Sequence, residues 1–163
     1  MDIKLLLMDC DGVLTDGRLY FSASGEAMKV FDVRDGQGIV SWHKAGFKSG
    51  IISGRGAGEI IRRRADELGI EFVIVDSSDK VKDFEAIVSS LGIKAENVAY
   101  IGDDVGDVEL MRLVGFAAAV ADAVQDVKAV ATYVTNAKGG RGAVREVADL
   151  LLSGDIKKLL PGT

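Results

Sequence analysis

Short, unbroken apolar runs alternate with longer segments of helical period along nearly the whole chain, and this alternation limits the fold more than any other feature. Ile3 to Met8 is the first such run, and it ends in Asp9-Cys10-Asp11-Gly12. It reads as a buried strand whose C-terminal end opens into a polar loop. Further strands are expected over Ser49 to Ile52, Glu71 to Val75, Val98 to Ile101, Phe116 to Val120 and Tyr133-Val134. Between them, helices are predicted from an N-cap at Asp35, then over Gly58 to Leu68 with a stop at Gly69, and over Lys82 to Leu91 closed by Gly92. Val105 to Val114, Val124 to Ala131 and Ala143 to Leu152 complete the helical set. Strands without polar alternation are apolar on both faces, so helices must cover both sides of the sheet.

The expected fold is therefore α/β: three α/β/α layers, Rossmann-like, around a central parallel sheet. Leu19-Tyr20-Phe21 and Met28-Lys29-Val30-Phe31 flank Ser24-Gly25, which predicts a β-hairpin inserted after the first strand. With 163 residues, one domain with a substantial core is expected over 1–163, with 153–163 as a C-terminal tail that includes Pro161. The net charge of -5 argues against non-specific binding to nucleic acid or an anionic membrane. Cys10 is the lone cysteine and suits a reducing compartment. The apolar stretch after Met1 is too short for a signal sequence or a membrane span, so the cytoplasm is the expected location.

Open α/β sheets bind ligands beyond the carboxyl ends of their strands, and the polar residues of this chain gather there. Asp9 and Asp11 follow the first strand, Ser53-Gly54-Arg55 the second, and Gly102-Asp103-Asp104 the fourth, with Asp107 one turn later. Lys80 stands near the start of the helix before that fourth strand. Carboxylates converging on one sheet edge repel one another unless a cation or protons neutralise them. An all-oxygen set suits a hard cation, and Mg2+ fits it better than zinc or copper. Ser53 and Gly54 would offer a hydroxyl and an uncrowded backbone to phosphate oxygens, with Lys80 adding positive charge. A carboxylate can serve as the covalent nucleophile of phosphoryl transfer, and a second one nearby as general acid and base.

Asp9-Cys10-Asp11-Gly12-Val13-Leu14-Thr15-Asp16-Gly17, Ser53-Gly54-Arg55, Lys80 and Gly102-Asp103-Asp104 with Asp107 resemble the four ordered motifs of the haloacid dehalogenase superfamily. Asp32-Val33-Arg34-Asp35-Gly36 and the segment Lys138 to Glu146 are similar, more narrowly, to its capless branch acting on 3-deoxy-D-manno-octulosonate 8-phosphate. That branch is itself similar to nine-carbon ulosonate 9-phosphate phosphatases and to a domain fused to some sialic acid cytidylyltransferases. The resemblance implies a Mg2+-dependent phosphatase with Asp9 as nucleophile and metal ligand. Asp11 is implied as a metal ligand through its carbonyl and as proton shuttle, and Asp103 as the second carboxylate ligand. Asp104, with Asp107, is implied to support the metal from behind, Asp104 by orienting water. Ser53 and Lys80 are implied to hold the phosphoryl group. Asp32, Val33, Arg34, Asp35, Gly36, Gly54, Arg55 and Arg64 are implied to face substrate, Arg64 being one of the consecutive Arg62, Arg63 and Arg64. A place in lipopolysaccharide biosynthesis would follow.

The intervals between motifs leave no room for an inserted cap domain, yet an aspartyl phosphate needs shelter from bulk water. Neighbouring subunits of a homotetramer, as in the family, are the expected lid, with the hairpin around Ser24-Gly25 at the contact. Other residues have blander readings. His43 is expected at the surface or an interface, Asp16-Gly17 in a turn, and Gly139-Gly140-Arg141-Gly142 in a flexible loop whose functional version is a basic flap. Two rivals are a phosphoacceptor signalling domain and a non-catalytic assembly module. Lys80 preceding the second acidic pair argues against the first, and the intact polar set argues against the second.

Overall fold

The computed structural model describes residues 2–155. Its main sheet has six strands: β1 (Leu5–Met8), β4 (Lys48–Ile52), β5 (Phe72–Ile74), β6 (Val98–Gly102), β7 (Phe116–Ala119) and β8 (Tyr133–Val134). Their order is β5-β4-β1-β6-β7-β8, and every neighbouring pair is parallel. The helices are α1 (Val33–Lys44), α2 (Gly58–Leu68), α3 (Lys80–Leu91), α4 (Val108–Met111), α5 (Gln125–Val130) and α6 (Ala143–Ser153). From β1 the chain winds outward through α1 and α2 to β5, then crosses through α3 to β6 and winds the other way. Right-handed crossovers place α1 and α2 on one face and α3 and α4 on the other. Helix α6 returns to pack along α1. The three expected layers are present, and only the antiparallel hairpin β2 (Tyr20–Ser22) and β3 (Gly25–Met28) is inserted after β1.

The core explains why β1 reads as continuous hydrophobe. Leu5, Leu6, Leu7 and Met8 are all fully buried because both faces of the strand meet helices. Each such side chain stabilises the fold by about 2 kcal/mol. Helix α2 has the expected bounds, because Gly69 ends it in a left-handed conformation that its lack of a Cβ makes easy. Gly92 ends α3 in the same way.

Several expectations need correction. Helix α1 is capped by Asp32, whose side chain accepts from Arg34 N, so Asp35 lies inside the first turn. Helix α3 begins at Lys80 behind an Asp79 cap. The continuous helix expected over Val105 to Val114 is a 3-10 turn, Val105–Asp107, followed by the short α4. Asp104 and Asp107 there bond each other's backbone N–H groups, which holds the tighter winding. Of the tail beyond α6, residues 156–163, with Pro161, lie outside the described residues.

Candidate functional site

Strand β1 lies mid-sheet, with Met8 in register with Ile51 of β4 on one side and Ile101 of β6 on the other. The residues that follow these strands must therefore emerge side by side. They do so where the winding direction reverses, the place at which doubly wound sheets form a crevice. Asp9 continues the ladder, its N–H donating to Ile101 O at 3.1 Å, and its side chain then turns into the crevice. Its Oδ1 accepts from Cys10 N at 2.6 Å and its Oδ2 from Lys80 Nζ at 2.8 Å. Cys10 itself is fully buried, as its strand-end position requires.

The following loop curls tightly, with Val13, Leu14 and Thr15 all donating to Cys10 O. Gly12 adopts φ 88°, and a Cβ there would run into the Asp103 carboxylate. Glycine is what lets the first acidic loop approach the second. Beneath it lies the glycine-rich segment expected as a flexible loop or flap, and that expectation fails. Gly139 and Gly140 press so closely on the backbone of Gly12, Thr15 and Asp16 that neither has room for a Cβ. Gly140 N donates to Val13 O at 2.9 Å and Gly139 N to Asp122 Oδ1 at 3.0 Å. The segment braces the loop after β1 from below, leaving Arg141 exposed at 4.0 Å from Asp16.

Asp107 is buried and uses both oxygens. Oδ1 accepts from Lys80 Nζ and Tyr100 OH, each at 2.7 Å, while Oδ2 accepts from the N–H groups of Asp103 at 3.0 Å and Asp104 at 3.3 Å. It ties the lysine to the second acidic loop. Asp104 is exposed and accepts from Val105 N. Ser53 is buried, its N–H bonded to Ile74 O and its hydroxyl accepting from Arg55 N at 3.3 Å.

A cavity of about 410 Å³ joins Asp9, Asp11, Ser53, Gly54, Arg55, Lys80, Asp103 and Asp104. Gly17, Leu19 and Gly106 also line it, a contribution of the loop backbones and the hairpin that sequence spacing did not signal. The remaining residues named for substrate line none of it. Asp32 caps α1 and pairs with Arg34 at 2.6 Å, and Val33 is exposed beside them. Asp35 is buried, accepting from Gly142 N and Arg145 N, and so anchors the glycine-rich brace to α1. Arg64 lies against Gly36, pairs with Glu67 and covers the Phe31 ring. His43 is half-buried and bonded to Ser49 Oγ at 2.7 Å, away from the cavity. A larger cavity, about 700 Å³, opens beside Gly56, Arg62, Arg63 and Asp76, but it holds none of the strand-end carboxylates.

Two residues that sequence reasoning missed sit at the rim beside Asp11 and Arg55, just outside the lining of the cavity. Lys29 follows β3 and is buried; its Nζ donates to Asp11 Oδ1 at 2.5 Å and to Glu26 Oε1 at 2.7 Å. Arg55 completes the group, 3.8 Å from Asp11 Oδ2 and 3.6 Å from Glu26 Oε2. Lys29 and Arg55 thus alternate with the carboxylates of Asp11 and Glu26.

The electrostatics of the floor point to a cation. Carboxylate oxygens of Asp9, Asp103 and Asp107 lie within 4.8 Å of one another. Burial, and then the charges of Asp9, Asp107 and Asp104, push Asp103 up to about 8. Burial also raises Asp9 to about 6, against the pull of Lys80. Asp103 Oδ1 is buried without a hydrogen-bond partner among the described residues. A divalent ion with oxygen preference fits this set, whereas Lys80 alone leaves it under-neutralised. Asp107 belongs to the group by distance, but each of its oxygens already accepts two hydrogen bonds, whereas each Asp9 oxygen accepts one and Asp103 Oδ1 none among the described residues, so Asp9 and Asp103 keep more capacity for a cation.

A doubly wound sheet with a cation-seeking carboxylate cluster at its switch point, and a hairpin inserted beside it, defines the class of protein. The chain belongs to the haloacid dehalogenase-like hydrolases, whose family model matches residues 58–147. It is 46% identical over 151 residues to the 3-deoxy-D-manno-octulosonate 8-phosphate phosphatase of Escherichia coli (strain K12), covering 93% of this chain and 80% of that protein. The Yersinia pestis phosphatase of the same name superposes with a TM-score of 0.89 at 43% identity, over 95% of this chain and 84% of that one. The Moraxella catarrhalis phosphatase, solved with magnesium ion, phosphate ion and a KDO molecule, gives 0.90 at 38% identity, over 96% and 90% of the two chains.

Proposed function

We propose that the chain is a Mg2+-dependent phosphomonoester hydrolase acting on 3-deoxy-D-manno-octulosonate 8-phosphate through an aspartyl phosphate. The observation that carries this reading is the meeting of Asp9, Asp11, Ser53, Lys80 and Asp103, from separate strand ends, around one cavity. Likeness to relatives that bear this activity in their names supports the substrate.

The Asp9 and Asp103 carboxylates, with the Asp11 carbonyl, would hold Mg2+, which would supply charge to offset the repulsion between phosphate and the acidic floor. The Asp9 carboxylate attacks phosphorus in line. Asp11 gives its proton to the leaving sugar oxygen as the ester bond breaks. Ser53 and the neighbouring backbone N–H groups orient the phosphoryl oxygens, and Lys80, fixed by Asp107, faces their negative charge. Asp11 then takes a proton from the water that attacks phosphorus, releasing inorganic phosphate and restoring Asp9. Asp104 and Asp107 keep the second acidic loop in shape. Gly54 and Arg55 form the substrate-facing rim, while Asp32, Val33, Arg34 and Arg64 would face substrate only across a subunit contact and Asp35 and Gly36, both buried, support them.

The assembly is a homotetramer in which neighbours cover the active site. Supporting this, Leu19, Phe21, Met28 and Val30 of the hairpin region are exposed next to the cavity, Phe21 by 64%. Apolar groups of this size, gathered on one small hairpin, fit a protein contact. No helix among the described residues is long and apolar enough to cross a membrane, and we place the enzyme, acting as one domain, in the cytoplasm.

A steady-state screen over sugar-acid phosphates with Mg2+, repeated after chelation, tests the reading. Preference for the eight-carbon 8-phosphate, lost on chelation, is expected. Preference for a nine-carbon 9-phosphate would move the substrate assignment, and no hydrolysis of any ester would end it.

A further inference from the structure

The buried group around Asp11 repeats, from a different element, an arrangement on the other side of the cavity. Asp9 is held by Lys80, which comes from the start of α3 and is tied down by Asp107. Asp11 is held by Lys29, which comes from the inserted hairpin and is tied down by Glu26 of β3. The Lys29 side chain is 1% exposed and that of Glu26 8%, so neither is a casual surface partner. A lysine is rarely buried to this degree without a defined electrostatic task.

The two Asp11 oxygens are treated differently. Oδ1 takes the Lys29 bond, whereas Oδ2 is buried, has no hydrogen-bond partner among the described residues, and meets Arg55 only at 3.8 Å. A carboxyl that must give a proton and later take one needs a single oxygen presented to the reacting ester and to water. Anchoring the other oxygen supplies that orientation.

We infer that Lys29 is a positioning residue for proton transfer: by holding Oδ1 of Asp11, it reserves Oδ2 for the leaving oxygen and then for the attacking water. The inference rests on the phosphatase reading above and adds a role for the hairpin, which sets the geometry of the acid as well as covering the site. In the first step the Oδ2 proton passes to the ester oxygen as the P–O bond breaks, and the carboxylate left behind remains paired with Lys29. In the second step that carboxylate accepts the proton of the water attacking phosphorus, and the bond to Asp9 breaks.

The test compares kcat/KM for a sugar 8-phosphate and for p-nitrophenyl phosphate, in the full-length protein with Mg2+. The alkoxide needs a proton to leave, and the nitrophenolate does not. Lys29→Met should lower kcat/KM for the sugar phosphate by about 100-fold, the lower end of what general acid catalysis contributes, and for the aryl ester by only a few-fold. Lys29→Arg should recover part of the sugar-phosphate loss. Equal losses on the two esters, or no loss, in a Lys29→Met protein with wild-type circular dichroism would overturn the inference. If that variant does not fold, Glu26→Gln decides on the same ratio: a smaller loss confined to the sugar phosphate supports the role, and an unselective one refutes it. Failure of the wild-type protein to hydrolyse either ester would instead overturn the phosphatase reading, and this inference with it.

Discussion

The floor and the rim of the cavity are built by different rules. On the floor, Asp9 and Asp103 are neighbours because β1 and β6 are hydrogen-bonded partners, so the backbone ladder fixes their separation before any side chain packs. At the rim, Asp11, Lys29, Glu26 and Arg55 meet through side chains alone, across a two-stranded hairpin whose outer surface is exposed and apolar. The floor concentrates negative charge, whereas the rim pairs its two carboxylates with two cations. In such an arrangement the sheet supplies the chemistry, and the insertion governs proton transfer and access.

Variants that separate the two regions test this division. The largest effect belongs to the floor: Asp9→Asn should keep the fold, read by circular dichroism, and lose roughly 1,000-fold or more of turnover. Retention of a tenth of the activity would remove Asp9 from the nucleophile role. Asp107→Asn comes next. An amide can satisfy Lys80 and Tyr100 through its oxygen, but its NH2 then faces the N–H groups of Asp103 and Asp104. Urea unfolding should show a loss of about 3 kcal/mol, the scale for breaking a buried charged pair. An unchanged midpoint would mean that Asp107 does not brace the loop.

The floor's unrelieved charge also has a pH signature. A carboxyl whose folded pKa lies above its unfolded value supports stability at low pH, and that support is lost as pH rises through the folded value. For Asp103 the window runs from 3.8 to about 8. In metal-free protein, Asp103→Asn should therefore gain in melting temperature relative to wild type as pH climbs through that window. Added Mg2+ should raise the melting temperature of the wild type more at the upper end of the window than at the lower. A gap between the two proteins that is independent of pH would contradict the charge account. The smallest effect on the chain itself is expected at the rim's outer face. Phe21→Ser should change the stability of the subunit by no more than about 0.5 kcal/mol while sedimentation shows smaller assemblies. Unaltered assembly would exclude the hairpin as the contact.

Legibility follows the same division. Unbroken apolar runs ending in acidic residues gave the strand ends, because a strand buried on both faces has little freedom in composition. Glycine stops gave the end of α2 at Leu68 for a local, steric reason. Asp35 was misread as a cap because apolar periodicity becomes visible only at Ile39, whereas α1 starts at Val33 with residues that face solvent or other loops. The brace at Gly139 and Gly140 looked flexible because close approach to another backbone leaves no trace in a single glycine-rich segment. Lys29 and Glu26 lie beyond what spacing can show: an alternating hairpin announces itself, but which of its charges turns inward is decided by Asp11, far away along the chain.

The central claim is that Asp9 forms a bond to phosphorus, and chemical trapping addresses it most directly. Protein quenched in acid during turnover with Mg2+ and then reduced with borohydride should carry homoserine at position 9, located by peptide mass spectrometry. Homoserine at another aspartate, or none while the enzyme is turning over, would contradict the account.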